Sequence, residues 1–255
     1  MSRRRSITYT IRYSFPFILL ILSLFIIAGC RKARMAVPSD LLAKAPEMKC
    51  EGRQSFSFNE DFMFGPYEVK DVHRGWTESK GWGTSISDKS SLSSMKSKQE
   101  FEFTIIRSGF EIWDARCATA ANVKKVDVED FLGGTLEADV VRGISFFCYF
   151  RSREDTKLIW KLAMTQSTDE DVLSGVLKNE GFSLFIRGTH KLAGSSIPLS
   201  DPTGYEIKRG RNLVGAVEVI NDGAVWILPS VSRELRAAIS TAAAALLLFK
   251  DISEQ

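Results

Sequence analysis

Between residues 100 and 105 the chain alternates strictly, with Phe101, Phe103 and Ile105 on one face and Glu100, Glu102 and Thr104 on the other. A period of two sustained over half a dozen residues predicts a half-buried strand. Short alternating or apolar runs recur along most of the chain: "FSF" at 56–58, "YEV" at 67–69, "FEIWDA" at 110–115, "VKKVDV" at 123–128, "TLEADVV" at 135–141 and "ISFFCYF" at 144–150. They continue with "KLIWKLAM" at 157–164, "FSLFIRG" at 182–188, "YEIKR" at 205–209, "LVGAVEV" at 213–219 and "AVWIL" at 224–228. Turn formers separate them, including "GG" at 133–134, "DPTG" at 201–204 and "NDG" at 221–223, and the last predicts a hairpin joining the final two strands. About ten to twelve short antiparallel strands at tight spacing predict a mainly β domain, a barrel or a sandwich. Two stretches break the pattern. "TSISDKSSLSSMKSK" at 84–98 predicts an exposed loop, and "TDEDVLSGVLKNEG" at 168–181 predicts a short helix capped by Thr168 or Asp169.

The end of the chain obeys a different rule. Pro229 stops the last strand, Ser230 or Ser232 can cap a helix after it, and Glu234 sits where a helix dipole favours a negative charge. From Ala237 to Phe249 only Ser240 and Thr241 are polar, and both can return their hydroxyls to the helix backbone. A helix that is apolar all round must be enclosed on every side or lie in lipid. Thirteen residues reach about 20 Å, too short to cross a bilayer. The expectation is therefore an antiparallel barrel closed around a buried C-terminal helix, with Ala242 to Ala245 keeping the rod thin. The alternative is a β-sandwich with the helix packed into an open end.

The ending "VGAVEVINDGAVWILPSVSRELRAAISTAAAALLLFKDI" and the earlier strand pair in "FTIIRSGFEIWDA" carry a resemblance. A many-stranded barrel threaded by a hydrophobic C-terminal helix resembles the tubby C-terminal fold, shared by LURP-one-related proteins and phospholipid scramblases. The resemblance spans residues 54 to 252 and is architectural, resting on no diagnostic motif. Neither the basic phosphoinositide pocket of tubby nor the calcium segment of scramblases has a counterpart here.

The N-terminus has three parts: the basic start "MSRRR", an apolar run from Phe15 to Ile27, and the small residues Ala28 and Gly29 before Cys30. This is the layout of a secretion signal. "IAGC" resembles the lipobox of bacterial lipoproteins, in which the cysteine thiol receives diacylglycerol before the signal is removed. The resemblance implies residues 1–29 as signal peptide and Cys30 as the lipid attachment site. Phe15 to Gly29 reach only about 22 Å, against a hydrocarbon core of about 30 Å, which disfavours an uncleaved spanning helix. Arg31 after that cysteine is not the aspartate that holds such lipoproteins at the inner membrane, so the resemblance implies the periplasmic face of the outer membrane in a two-membrane cell. Residues 30–53, with two prolines and little periodicity, predict a flexible tether, leaving 54–255 as the single folded domain.

Charge then reads differently. Of the 34 basic residues, Arg3, Arg4, Arg5 and Arg12 precede Cys30, and removing these four leaves 30 against 31 acidic residues. A nucleic-acid binder needs a basic surplus, which this balance excludes. Beyond Cys30 remain Cys50, Cys117 and Cys148, an odd number that allows one intramolecular bridge. Cys117 with Cys148 is the pairing favoured over one from Cys50, and two buried free thiols is the alternative.

Catalytic motifs are missing from the sequence: no HExxH, GxSxG, Walker A loop, GxGxxG or CxxC. His73 and His190 are the two histidines, and nothing places a serine beside either. Asp169, Asp171 and Glu180 mimic a calcium loop, but Leu173 occupies a ligand position and Ser174 stands where glycine must turn the chain. Trp76 and Trp82, in "GWTESKGWG", are candidate surface contacts or caps on a barrel end. No cofactor or metal is implied. The expected function is a non-enzymatic binding or scaffold module at the membrane surface, touching lipid head groups or another envelope protein. The rivals are an enzyme built on scattered acids such as Asp114, Asp127 and Asp139, and a lipid carrier.

Overall fold

The computed structural model describes residues 32–53, 60–75, 97–109, 111–121, 126–127, 137–138, 144–166 and 172–249. Alternation becomes a barrel in the expected way. Strands β1 (Glu47–Glu51), β2 (Phe62–Phe64), β3 (Tyr67–Arg74), β4 (Ser97–Arg107) and β5 (Glu111–Ala121) succeed one another around one side. After two short strands, β6 (Val126–Asp127) and β7 (Glu137–Ala138), the ring continues through β8 (Ile144–Ser152), β9 (Ile159–Gln166), β10 (Leu173–Lys178) and β11 (Ser183–Thr189). It ends with β12 (Gly204–Arg209), β13 (Asn212–Glu218) and β14 (Ala224–Ile227), and β14 pairs antiparallel with β1. Twelve antiparallel strands thus close on themselves, which removes the exposed edge that invites association.

Inside the ring the apolar positions meet. Phe101, Phe103 and Ile105 are buried in the main core together with Phe146, Phe150, Trp160 and Leu162. Their outward neighbours pair across strands, as Glu102 does with Arg116 at 3.4 Å. The C-terminal helix, Arg233–Leu248, runs through this core, and every residue from Ala237 to Leu248 is buried. It approaches β13 and β14 on one wall and β5 and β8 on the other, and these two pairs lie on opposite sides of the ring. Contact with opposite walls means that the helix occupies the lumen.

Both ends of the rod are tied. The Ser232 hydroxyl accepts from the Leu235 amide at 3.3 Å, and Asn179 Nδ2 donates to Glu234 Oε1 at 2.8 Å. At the far end Arg53 Nε donates to the Leu247 carbonyl at 3.0 Å and Arg74 Nη2 to that of Leu248 at 3.1 Å. Two guanidiniums thereby satisfy orphan carbonyls at the negative end of the dipole. In mid-helix the Ser240 and Thr241 hydroxyls both donate to the Ala237 carbonyl, at 2.9 and 2.8 Å.

Three expectations are corrected. Residues 34–53 are no flexible tether: from Arg34 on they belong to the same compact unit as the barrel, and Glu47–Glu51 is the strand that closes it. Met35, Leu41 and Ala45 bury a second small core against the outer faces of Ala216, Ala224 and Trp226. The segment therefore straps one wall of the barrel. Polar contacts fix its start, where Arg34 Nε donates to both carboxylate oxygens of Glu218 at 2.8 and 2.9 Å and Met35 N–H donates to the same side chain at 2.8 Å. Arg34 Nη2 reaches Glu47 at 2.6 Å. Replacing Arg34 with Ala strips the buried Glu218 of its cation. Because Arg34 itself is 38% exposed, the expected loss is about 2 kcal/mol rather than the full cost of breaking a buried pair, measured by urea unfolding. Early proteolysis near Lys44 should accompany it.

The second correction concerns the stretch expected to form a helix at 168–181, whose residues 173–178 form β10 instead. Leu173 and Leu177 enter the core, and the strand pairs with both neighbours. Gly175 permits this, since a Cβ there would sit 1.9 Å from the Ala163 carbonyl oxygen. The third is that β6 and β7, expected among the main strands, form a separate two-stranded sheet.

Cys50, expected at the edge of a linker, is buried in β1 opposite Phe64. Burial pushes its thiol from an ordinary 9.0 up to about 12, with Arg53 pulling the other way. Linkage sets the sign: the unfolded chain releases this proton near pH 9 while the folded chain holds it. Stability from this site is full below about pH 9 and falls between about pH 9 and 12, by up to about 1.4 kcal/mol per pH unit. Comparing unfolding free energies of wild type and Cys50→Ala across that range isolates the effect from other alkaline titrations.

Candidate functional site

The helix takes up the lumen, and among the described residues concave surface is found on the outer face. A groove of about 780 Å³ lies along the outer faces of β12 and β13, between the strap and the connection from Leu228 to Leu235. Alternation builds its floor: Tyr205 and Ile207 point into the core, so Glu206 and Lys208 point out. The six residues of β12 make it about 20 Å long. Lys191 stands near one end and the hairpin residues Arg209 and Arg211 near the other. Leu41, Leu213, Val231 and Leu235 supply apolar walls.

Charge in the groove is lopsided. Lys44, Lys191, Lys208, Arg209 and Arg211 face Asp40 and Glu206. Lys208 Nζ pairs with Glu206 at 2.7 Å, and the Arg209 guanidinium lies 5.2 Å from the centre of the Phe182 ring. Lys44, Lys191 and Arg211 are exposed and present their charge to solvent. An amphipathic, cationic trough of this length suits an extended anionic chain.

Of the acids proposed as an enzymatic site, Asp114 is taken up by an ion pair. Asp114 lies on β5 and is held by Arg153, whose Nη2 donates to Oδ1 at 2.7 Å and whose Nε donates to both oxygens at 2.9 and 3.0 Å. That pairing raises the Arg153 pKa, chiefly through the hydrogen bond. Asp127 belongs to the separate β6–β7 sheet, and Asp139 lies outside the described residues. His73 is exposed on β3, opposite Glu102, and His190 lies just past β11, where its carbonyl accepts from Leu199 N–H at 3.0 Å. Among the described residues no three His, Cys, Asp or Glu side chains converge as a metal site. Of the calcium-like loop, Asp169 and Asp171 lie outside the described residues, while Leu173 and Ser174 stand in β10.

Cys117 and Cys148 are register partners on β5 and β8, and a disulfide joins them. Trp76, Trp82 and Cys30 lie outside the described residues. The groove escaped sequence reading because its cations come from separate segments of the chain. Its one local signal was "KRGRN" at 208–212, which puts three cations about a hairpin. No protein family, curated protein or solved structure matches the chain.

Proposed function

We propose that this chain is an envelope lipoprotein, anchored through Cys30, whose barrel is a non-enzymatic binding module at the membrane surface. In a two-membrane cell it stands on the periplasmic face of the outer membrane. Its working surface is the groove along β12, and its occupant is an extended acidic segment of a neighbouring envelope protein. The observation that carries this reading is the filled lumen. With residues 237–248 buried between opposite walls, a carried acyl chain would have to displace the helix, and binding falls to the outer face. There, five cations against two carboxylates favour an anionic partner over a neutral one.

A photo-crosslinking residue at position 212, in cells, should yield one discrete protein adduct. Reversing the charges with Lys44→Glu, Lys191→Glu and Arg211→Glu together should abolish that adduct while leaving the protein folded. An adduct indifferent to the reversal, or label passing only to lipid, would defeat the acidic-segment assignment. Separately, Cys30→Ala should lose its lipid and leave the membrane fraction, and unchanged retention would defeat the anchor.

A further inference from the structure

The strap that corrects the expected tether also fixes where an anchored chain must leave the barrel. Arg34 is pinned to Glu218 and Glu47, and Ala193 N–H donates to the Arg34 carbonyl at 2.8 Å. Met35 is bridged to Leu192, and Ala36 N–H donates to the Lys191 carbonyl at 2.9 Å. The chain therefore departs from the base of the loop that joins β11 to β12. Arg34 is four positions on from Cys30, and four residues fully extended reach about 14 Å. A lipid on Cys30 would hold the base of this loop within about that distance of the bilayer.

The loop carries what such a position favours. Ile197 is 74% exposed and Leu199 38%, with Pro198 between them. Single exposed apolar residues are ordinary on a protein surface. Here two of the five large exposed hydrophobics among the described residues lie two positions apart, beside the point where the chain departs. The loop is also held in shape. Ser195 Oγ accepts from the Ile197 amide at 3.0 Å and lies 3.1 Å from its carbonyl, Leu199 N–H donates to the His190 carbonyl at 3.0 Å, and Thr203 Oγ1 lies 2.9 and 3.0 Å from the carbonyls of Thr189 and Lys191. Little conformational entropy is lost when a loop already ordered in this way is buried. Lys191 adds an exposed cation at its base, against Asp201 as the acidic residue of the same connection.

We propose that the loop Gly194–Ser200 docks on the membrane that holds the anchor, seating Ile197 and Leu199 at the boundary between head groups and acyl chains. This rests on anchoring through Cys30. The loop then acts as a second contact that orients the barrel, where a free tether would let it tumble.

The test uses the full lipidated protein in phosphatidylethanolamine and phosphatidylglycerol vesicles, with an environment-sensitive fluorophore on Ile197→Cys. Cys50 is buried and Cys117 is bonded to Cys148, so the label goes to the new thiol. Expected are a blue-shifted emission and quenching by lipids spin-labelled near the head group, at a depth of about 5–10 Å. The same label on Met63→Cys, another exposed apolar site, should stay unquenched. Vesicle flotation is read in the same sample. Protein that floats with an unquenched label at 197 overturns the loop and leaves the anchor standing. Equal quenching at 63 and 197 also overturns it, by showing no preferred face. Protein that fails to float overturns the anchor and the loop together.

Discussion

Ending the chain at Pro229 should yield an insoluble product, and Ala244→Asp alone should lower the unfolding free energy by more than about 4 kcal/mol. Both effects arise because the helix is the core rather than a cover. Truncation would leave a ring of strands whose inner faces, Phe101, Phe146, Ile186 and Ile207 among them, surround an emptied lumen. Water or collapse must fill that space, and each apolar Å² returned to water costs about 25 cal/mol. The aspartate acts differently. Ala244 is fully buried within the apolar core cluster, so a carboxylate there is cut off from water. Soluble fraction after expression reads the first result and urea unfolding the second. A soluble truncation with a cooperative transition would show that the strands hold themselves up.

Loss of the Cys117–Cys148 bridge should cost about 3–4 kcal/mol, the chain-entropy figure for a closure of 31 positions. The bridge spans the segment that leaves β5 and returns at β8, which with the connection from β3 to β4 is one of the two longest excursions between consecutive strands of the barrel. Cross-linking these neighbours shrinks the unfolded ensemble across one of the longest loops that the barrel has to close. Cys117→Ala with Cys148→Ala, or wild type in reductant, should show the drop in midpoint. Unfolded without reductant, wild type should expose Cys50 and retain the bridge. An unchanged midpoint would mean that the strand pairing alone supplies the constraint.

How much of the molecule could be read from the chain depends on how locally each feature is encoded. The helix was legible because thirteen consecutive positions carry only two hydroxyls, and no one-sided environment accommodates that. Strand alternation was legible at Phe101, Phe103 and Ile105 for the same reason. The strap was not, since Arg34, Met35 and Leu41 are ordered by Glu218, Ala216 and Trp226, nearly two hundred residues away. β10 was misread because its acidic lead-in looks like a helix cap, while the decisive fact is a carbonyl of β9 that only a glycine tolerates. The groove was invisible for both reasons, being assembled from the strap, one hairpin and the entry to the helix.

Whether the helix is walled on all sides can be measured directly by thiol accessibility. In a Cys50→Ala background, cysteines placed singly at Ala242, Ala243, Ala244 and Ala245 walk about 100° per step around the whole circumference. All four should resist maleimide in the folded protein and react fully once it is unfolded without reductant. Rapid labelling at any one of them in the native state would put that flank in water and contradict the filled barrel.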